Sequence, residues 1–266
     1  MEVSFGELLK DWRGRRRISQ LDLALAANVS ARHIAFLETG RSKPSRTMVI
    51  QLSEALTIPR IERNVMLNRA GFAATYKQRD LDDKDMSHVH AAVRWTLDRH
   101  NPYPAMAVDR HWRLVRANRS ASVLLSTIGI SDGDSMLEAA LSSPLLREAV
   151  VNWPEVVRHI HQRLRTESAH LGGDAVLDSA AARLAEEIRA NAIPEDTDLP
   201  AVAPTRYRAG DATLSFFSTI AQFGTAEDIA LADLKIELLF PADEFTRAML
   251  LAHAGSDGNV AAQDKG

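Results

Sequence analysis

The chain has 266 residues, 45% of them hydrophobic, and 32 Lys and Arg against 35 Asp and Glu give a formal net charge of −3. This length and apolar content fit two packed cores. The sequence has no run of eighteen apolar residues, so no membrane span is predicted. The lack of cysteine excludes disulfides and thiolate metal sites. The amino terminus lacks the charged-then-apolar pattern of a secretion signal. Because this composition is compatible with a reducing compartment, we expect a cytoplasmic protein.

The charge is distributed unevenly along the chain. Residues 1–72 carry 12 Lys and Arg against seven Asp and Glu, whereas the remaining 194 residues carry 20 against 28. The small overall charge therefore hides a basic head, of net charge +5, on an acidic body of net charge −8. A basic domain at one end of a chain favours a nucleic acid as its partner.

The run SQLDLALAANVSARHIAFLETGR at residues 19–41 predicts two short helices joined by a tight turn. Ser19 and Ser30 are suitable N-caps, Asn28 tolerates the turn conformation, and Gly40 ends the second helix. This pattern is typical of a helix-turn-helix, whose second helix binds in the DNA major groove. An ordinary pair of core helices would also be amphipathic. The flanking segments favour the first interpretation, because they predict one helix before the run and two after it, five in about seventy residues.

Several polar side chains of this module are candidate DNA contacts. Gln20 opens the first of the two helices and is expected to bind a phosphate. Arg32 is the candidate for a bidentate contact to guanine, unless it is an exposed arginine near a phosphate, and Ala31 either touches a thymine methyl or contacts nothing. Glu38 is expected to have a structural role as an ion-pair or cap partner. The outward face of the second helix comprises Ser30, Ala31, Arg32 and Phe36, with His33 beside them.

Two groups of cations flank the helix pair. Arg15, Arg16 and Arg17 follow the preceding helix, and Arg41, Lys43 and Arg46 follow the second helix of the pair. Both groups suit contacts with the phosphate backbone, which would make binding depend steeply on salt. A run of charges is also often only a solvated face, and the surrounding motif is what favours phosphate binding here.

The rest of the chain predicts a domain of mixed helices and strands. The polar segment 73–87 is the predicted linker, 88–255 the predicted second domain, and 256–266 a flexible tail. Pro102 and Pro104 end a helix predicted over 88–100, and the next two strands form a hairpin. The predicted strands are 105–108, 112–117, 214–223 and 234–240, and the further predicted helices are 118–128, 136–150, 153–170, 174–192 and 244–254.

The sequence resembles known families over both parts. Residues 5–72, with the pattern S-x-R-x-I-x-x-L-E-x-G-R from Ser30 and the following Pro44, resemble the Xre/Cro-type helix-turn-helix of repressors. Most of residues 90–255 resembles the MmyB-like transcription regulators, through NPYPAMAVDRHWRLVRAN at 101–118 and FSTIAQFGTAEDIALADLKIELLFPADEFTRAML at 217–250. This resemblance implies an all-α N-terminal five-helix domain followed by an α+β PAS-like domain, with an antiparallel sheet and covering helices, that binds a fatty-acid-like ligand.

A PAS-like sheet closed by helices would hold such a ligand in an apolar cavity with few polar groups. The expected lining from the sheet is Phe216, Ile220, Ile236 and Leu238. A carboxylate head group needs arginine, tyrosine or backbone amides, and the candidates are Arg94, Tyr103 and Arg206. Surface ion pairs would equally explain the two arginines, and a core position would explain the tyrosine. A packed core without a cavity would explain the same apolar residues.

No catalytic or metal site is predicted. The pairs His88 and His90, and His159 and His161, lie two residues apart rather than at the i, i+4 spacing that chelates a metal on a helix. We therefore expect no enzyme and no cofactor apart from a possible bound fatty acid. The favoured interpretation is a transcription regulator that binds operator DNA as a homodimer and senses a small apolar ligand. The alternatives are a second domain that only mediates dimerisation or protein docking, and an enzyme delivered to DNA.

Overall fold

The computed structural model describes residues 3–77, 86–191, 204–223 and 228–263, with side chains as far as residue 253. The chain divides into two compact units. The first comprises Met1–Arg79, Thr166–Asp174 and Ala226–Ile229, and the second comprises Asp80–Arg165, Ala175–Thr225 and Ala230–Gly266. Most of the predicted linker, residues 78–85, lies outside the described residues.

The first unit contains the five helices that the sequence predicts, four of which begin at a serine cap. Ser4, Ser19, Ser30 and Ser45 each accept a hydrogen bond from a backbone amide in the first turn of the helix that follows. Such a cap satisfies an amide that the helix itself leaves without a partner. The helices are α1 (Phe5–Arg15), α2 (Gln20–Ala26), α3 (Ala31–Glu38), α4 (Arg46–Ala55) and α5 (Arg60–Arg69).

These helices close around one apolar core. Its fully buried side chains include Leu9 of α1, Leu23 of α2 and Ile34 of α3. Asn28 takes a left-handed φ of 49° in the turn between α2 and α3, and the amide of Val29 donates to the carbonyl of Ala24 at 2.8 Å. The turn therefore has the conformation that the asparagine at this position predicts.

The second unit combines an antiparallel five-stranded sheet with helices. The strand order is β2-β1-β5-β4-β3, so the last strand in sequence lies at the centre of the sheet. The strands are β1 (Ala105–Val108), β2 (Leu114–Ala117), β3 (Thr205–Ala209), β4 (Ala212–Gln222) and β5 (Lys235–Pro241). The helices after α5 are α6 (Ser87–Arg99), α7 (Arg119–Ser126), α8 (Met136–Ser142), α9 (Pro144–Ala149), α10 (Trp153–Leu171), α11 (Ala175–Ala190), α12 (Ile229–Ala232) and α13 (Glu244–Gln263).

The two faces of the sheet have different neighbours. On one face, Ile236 and Leu238 of β5 pack with Val93 and Leu97 of α6. Glu237 and Leu239 alternate with them and therefore point to the other face, because successive side chains of a strand project in opposite directions. We call this second face, which also carries Met106, Tyr207, Phe216 and Ser218, the cavity face.

Some predicted elements differ from the structure. The predicted helix 136–150 is two helices, α8 and α9, because Ser143 caps a new helix whose first residue is Pro144. Strand β2 begins at Leu114 instead of Trp112, which has a left-handed φ of 61° and belongs to the preceding turn. The backbone of α13 continues to Gln263, where the sequence predicts a flexible tail.

Strand β3 is absent from the sequence prediction. It is an edge strand of five residues, and Arg206 and Arg208 on it are exposed. A short strand with polar side chains gives little of the apolar alternation by which strands are recognised in a sequence. Its pairing with β4 nevertheless places Tyr207 on the cavity face.

Candidate DNA-binding face and ligand cavity

Helix α3 presents one buried and one accessible face. Ile34 and Leu37 are in the core, whereas Arg32 is exposed. The guanidinium carbon of Arg32 lies 5.2 Å from the centre of the Phe36 ring, and that of Arg41 lies 5.9 Å from the same ring. The half-buried Phe36 therefore restrains two cations beside the outer face of α3 by cation–π contact.

Glu38 at the end of α3 joins three helices of the first unit. Its carboxylate accepts hydrogen bonds from Arg13 at 2.6 and 3.1 Å and from the side-chain amide of Gln20 at 2.7 Å. The structural role expected of Glu38 agrees with these contacts. Gln20 has an internal partner that the sequence does not indicate, and its phosphate contact stays a prediction.

Protonation of Glu38 is expected to destabilise the first unit. Burial raises the pKa of Glu38, but the hydrogen bonds from Arg13 and Gln20 and the charge of Arg13 outweigh burial and hold the pKa below its ordinary value of 4.5. A carboxyl whose pKa is lowered by folding stabilises the fold above its unfolded-state pKa, and this contribution is lost as the pH falls through the folded-state pKa. The free energy of unfolding of the first unit, measured by hydrogen exchange at increasing urea concentration, should therefore fall steeply as the pH drops below about 4.5.

Two variants separate this effect from general acid sensitivity. Glu38→Gln should lower stability at neutral pH and flatten the dependence on pH, because the titrating group is gone. The matched control is Glu54→Gln, since Glu54 has a 62% exposed side chain and a 3.8 Å ion pair with Arg63, and exposed pairs contribute little. If the stability of the Glu38→Gln variant depended on pH as steeply as that of the unmodified chain, the acid sensitivity would not come from Glu38, and the prediction would be contradicted.

The arginines after α1 differ in their surroundings. Arg15 pairs with Asp11 at 2.7 Å and keeps a 42% exposed side chain. The Nε of Arg16 donates to the carbonyl of Leu56 at 3.1 Å. Both guanidinium groups also lie within 5.6 Å of the centre of the Trp12 ring. Contacts inside the first unit thus hold these two arginines, and their phosphate contacts remain predictions.

The other predicted phosphate ligands are exposed. Arg17, at a left-handed φ of 55°, and Arg41 and Lys43 after α3 all face solvent. Arg46 is exposed as well and donates to the hydroxyl of Thr75 at 2.7 Å. Because these side chains are exposed, they can contact a polyanion without any rearrangement of the apolar core.

The second unit holds a cavity of about 550 Å³ between the cavity face of the sheet and helices α7 to α10. This volume falls in the range of about 300–1,000 Å³ that is common for small-molecule sites. The lining is mainly apolar. It includes Leu124 and Leu125 of α7, Met136, Leu137 and Ala140 of α8, Trp153, Val156, Ile160 and Leu164 of α10, and Met106, Phe216 and Leu239 of the sheet.

Charged and polar side chains also line the cavity. Arg163 of α10 and Glu237 of β5 approach to 3.4 Å between Nη1 and Oε1. The guanidinium carbon of Arg163 lies 4.1 Å from the centre of the Trp112 ring, which is also in the wall. The Nζ of Lys235, a residue outside the cavity wall, lies 4.0 Å from the same ring centre. Burial, with a smaller contribution from the charge of Glu237, raises the pKa of Tyr207, so this phenol is neutral and able to donate a hydrogen bond.

The predicted apolar lining is only partly at this cavity. Phe216 lies in the wall, whereas Ile220 is 38% exposed and lies outside it. Ile236 and Leu238 point away, into the core formed with α6. The sequence correctly shows a clean alternation along β5, but the cavity lies on the face that carries Glu237 and Leu239. The more apolar face of the strand is the one that packs against α6.

The predicted head-group residues also lie away from the cavity wall. Arg94 is exposed on α6, and Arg206 is exposed on β3 with its side chain opposite to that of Tyr207. Tyr103 packs edge-to-face on His100, with ring centres 5.7 Å apart. The polar side chains that the structure places in the cavity wall instead include Arg163, His159, Tyr207 and Glu237, and the head-group contacts of Arg94, Tyr103 and Arg206 stay predictions.

A signal for these residues exists in the sequence. His159 and Arg163 are four residues apart and share a face of α10 with the apolar side chains Val156 and Ile160. In the structure, these two polar side chains of α10 and Glu237 of β5 lie in the cavity wall. The ligand side predicted from the sequence is the more hydrophobic face of β5, whereas the cavity lies on the other face of that strand.

The described residues contain neither a metal cluster nor a membrane span. No group of three or more His, Asp or Glu side chains in those ranges is arranged to hold a metal ion. Within the same ranges, no helix is long and apolar enough to cross a membrane.

The sequence matches two family models. The model described as MmyB-like transcription regulator ligand binding domain matches residues 89–252, more than half of the chain. The chain belongs to the MmyB-like transcription regulators. A model described as Helix-turn-helix matches residues 9–62 of the regulator. No curated protein matches it.

These matches confirm the predicted family and the predicted fold class of a helical DNA-binding domain followed by an α+β PAS-like domain. The regulator is a DNA-binding transcription regulator with a ligand-binding domain. Domains of both families are in general not enzymes. The helix-turn-helix match includes α2 and α3, and the ligand-binding match includes the residues that line the cavity.

Proposed function

We propose that the regulator binds operator DNA as a cytoplasmic homodimer and that a fatty acid in the second unit controls this binding. The observation that carries the proposal is the cavity of about 550 Å³, which is apolar along most of its wall and has Arg163 in its lining. An acyl chain suits such a wall, because each buried methylene contributes about 0.8 kcal/mol. The family resemblance to a fatty-acid-binding PAS-like domain gives independent support.

Sequence readout is assigned to α3. A two-fold dimer would place two copies of this helix in successive major grooves, so the operator half-sites should lie about one helical turn apart. The ligand can change DNA binding only if its affinity differs between the DNA-competent and the incompetent state. The proposal therefore requires that ligand and operator affinities depend on each other.

Arg32→Ala is expected to relax sequence preference, whereas Lys43→Ala should weaken binding to all duplexes alike. Arg32 is exposed on the outer face of α3 and restrained by Phe36, as a base-reading arginine would be, and a bidentate guanine contact provides about 1–3 kcal/mol of discrimination. Lys43 is an exposed cation after that helix. Its loss should therefore reduce the slope of the logarithm of the binding constant against the logarithm of the salt concentration by about one, which corresponds to one phosphate contact. Titrations of operator and scrambled duplexes at several salt concentrations measure both effects, and indistinguishable variants would contradict the assignment.

Solvent extraction of the purified regulator, followed by mass spectrometry, tests the ligand. A stoichiometric fatty acid in the extract is the expected result. An extract that stays empty after incubation with a mixture of fatty acids would overturn the sensor proposal and favour a second unit that only mediates dimerisation or protein docking. Light scattering of the same sample tests the homodimer, and a monomer that still binds the full operator would contradict it.

A further inference from the structure

We propose that Arg16 links the ligand cavity to operator binding through helix α10, in place of the phosphate contact predicted for it. This inference rests on the proposed function, because it names the route by which a ligand in the second unit would change operator affinity. Arg16 is thereby a positioning residue, which acts on DNA binding through its hold on α10.

Carbonyl oxygens take up most of the hydrogen-bond donors of Arg16. Its Nε and Nη2 donate to the carbonyls of Leu56 and Thr57 at 3.1 and 3.2 Å, just beyond α4. Its Nη1 and Nη2 donate to the carbonyls of Ala169 and His170 at 3.2 and 2.9 Å, in the last turn of α10. Four hydrogen bonds thus use most of the five N–H donors of a guanidinium group. A phosphate could bind Arg16 in a bidentate way only by displacing a carbonyl.

The same contact caps the C-terminal end of α10. The last carbonyls of a helix have no partner inside it, and a cation beside them is favourable. Arg15 contributes as well, since its Nη1 donates to the carbonyl of Gly172, the residue that follows α10. Residues Thr166–Asp174 belong to the first unit. The two arginines therefore hold the end of α10 within the unit that contains the helix-turn-helix.

Packing against Trp12 fixes this segment further. Trp12 is 3% exposed, and the guanidinium carbons of Arg15 and Arg16 lie 5.2 and 5.6 Å from its ring centre. A Cβ added at the buried Gly172 would overlap the Trp12 ring. Gly172 also has a left-handed φ of 80°, which glycine adopts without strain. The chain after α10 therefore approaches α1 as closely as only a glycine allows.

Helix α10 also supplies side chains to the cavity wall. These include His159, Ile160 and Leu164. Leu164 precedes Ala169 by five residues, which is about 7.5 Å along a helix. A ligand that shifts α10 at the wall would therefore also shift the carbonyls that Arg16 holds. The strength of this contact would then differ between the liganded and the free state, which is the differential free energy that control of DNA binding requires.

The test measures operator affinity with and without saturating dodecanoic acid, using the full-length chain and an operator selected from random duplexes. For the unmodified chain, the two dissociation constants should differ by at least about fivefold. Arg16→Gln should reduce this difference to less than about twofold, while the variant still binds dodecanoic acid in calorimetric titrations. The slope of operator affinity against salt concentration should not change, because Arg16 contributes no phosphate contact.

Gly172→Ala reaches the same contact from its other side. The added methyl group would displace the segment after α10 from Trp12 and leave the bonds between Arg16 and the end of α4 in place. This variant should lose the effect of dodecanoic acid on operator affinity as Arg16→Gln does. Because Arg16 itself is kept, Gly172→Ala decides the question even where Arg16→Gln fails to fold.

Two matched controls repeat these substitutions where the contact is not affected. A Cβ in Gly14→Ala would meet no atom within 4 Å. Arg165→Gln removes an exposed arginine of α10 that lies outside the cavity wall. Both variants should keep the effect of dodecanoic acid on operator affinity. Its loss in the controls as well would overturn the inference, because the effect would not depend on the end of α10.

The remaining outcomes separate the inference from the proposed function. Retention of the full effect of dodecanoic acid by folded Arg16→Gln or by Gly172→Ala would overturn the inference alone. A salt slope lowered by about one in Arg16→Gln, as expected for Lys43→Ala, would make Arg16 a phosphate ligand and overturn it as well. If dodecanoic acid does not change the operator affinity of the unmodified chain, the proposed function fails, and the inference fails with it.

Discussion

Replacing Asn118 with alanine is expected to lower the free energy of unfolding of the second unit by about 3–5 kcal/mol. The Asn118 residue is only 2% exposed, and its side chain makes four hydrogen bonds. Its oxygen accepts from the amides of Ala105 at 3.0 Å and Ala121 at 2.9 Å, and its nitrogen donates to the carbonyls of Leu97 at 3.1 Å and Tyr103 at 2.9 Å. One amide thus ties α6, β1 and the start of α7 together, and its removal leaves buried backbone groups without partners.

Hydrogen exchange measured at increasing urea concentration gives the stability of each unit separately. Asn191→Ala is the matched control, because the Asn191 side chain is exposed and donates to the carbonyl of Glu187 at 2.9 Å. The control should change stability by less than about 0.5 kcal/mol. A loss below about 1 kcal/mol for Asn118→Ala would show that water replaces its hydrogen bonds and would contradict the prediction.

Gly6→Ala is expected to destabilise the first unit by about 1–3 kcal/mol. A Cβ added at Gly6 would lie 2.5 Å from the carbonyl oxygen of Leu37 and 2.7 Å from that of Glu38. Because both obstacles are backbone atoms, no side chain can rotate away, and α1 would have to move off the end of α3. Since α3 carries the outer face assigned to DNA, operator affinity should fall together with stability.

Gly14→Ala is the control on the same helix. A Cβ at Gly14 would meet no atom within 4 Å, and alanine is favoured over glycine in a helix by about 1 kcal/mol. The two substitutions are identical in chemistry and should have opposite effects on the urea midpoint of the first unit. Destabilisation by both, to the same extent, would show that the close approach of α1 to α3 is not the cause.

Local rules account for the part of the fold that the sequence predicted well. Serine caps, the asparagine in the turn and apolar residues at helical spacing act over a few residues, so the five helices of the first unit could be placed from them. Asn118 was also recognisable as the start of a helix, since its side chain accepts from the amide of Ala121. Its contacts with Leu97 and Tyr103 depend on how α6 and β1 pack, which no local pattern contains.

Tertiary packing determines the features that no pattern in the sequence predicts. The alternation along β5 shows two faces, but only the position of α6 determines which of them is buried in a core and which faces the cavity. Gly6 gives no sign in the sequence that it touches the backbone of α3. Likewise, Gln20 has the position of a phosphate ligand in a helix-turn-helix, and its bond to Glu38 follows from the fold of the unit.

The position of β5 in the sheet has a consequence for biosynthesis. This strand is the last of the five to be made, yet it lies between β1 and β4, with Leu238 paired to Ala105. On the ribosome, the edge of β1 that pairs with β5 therefore stays without its partner strand until residue 241 has emerged. Helices α1 to α5 are complete by residue 69 and need mainly local contacts, which form quickly. A nascent chain of this regulator thus has its helix-turn-helix well before it has the sheet of its ligand-binding domain, and in the interval its exposed strand edges are open to wrong pairing.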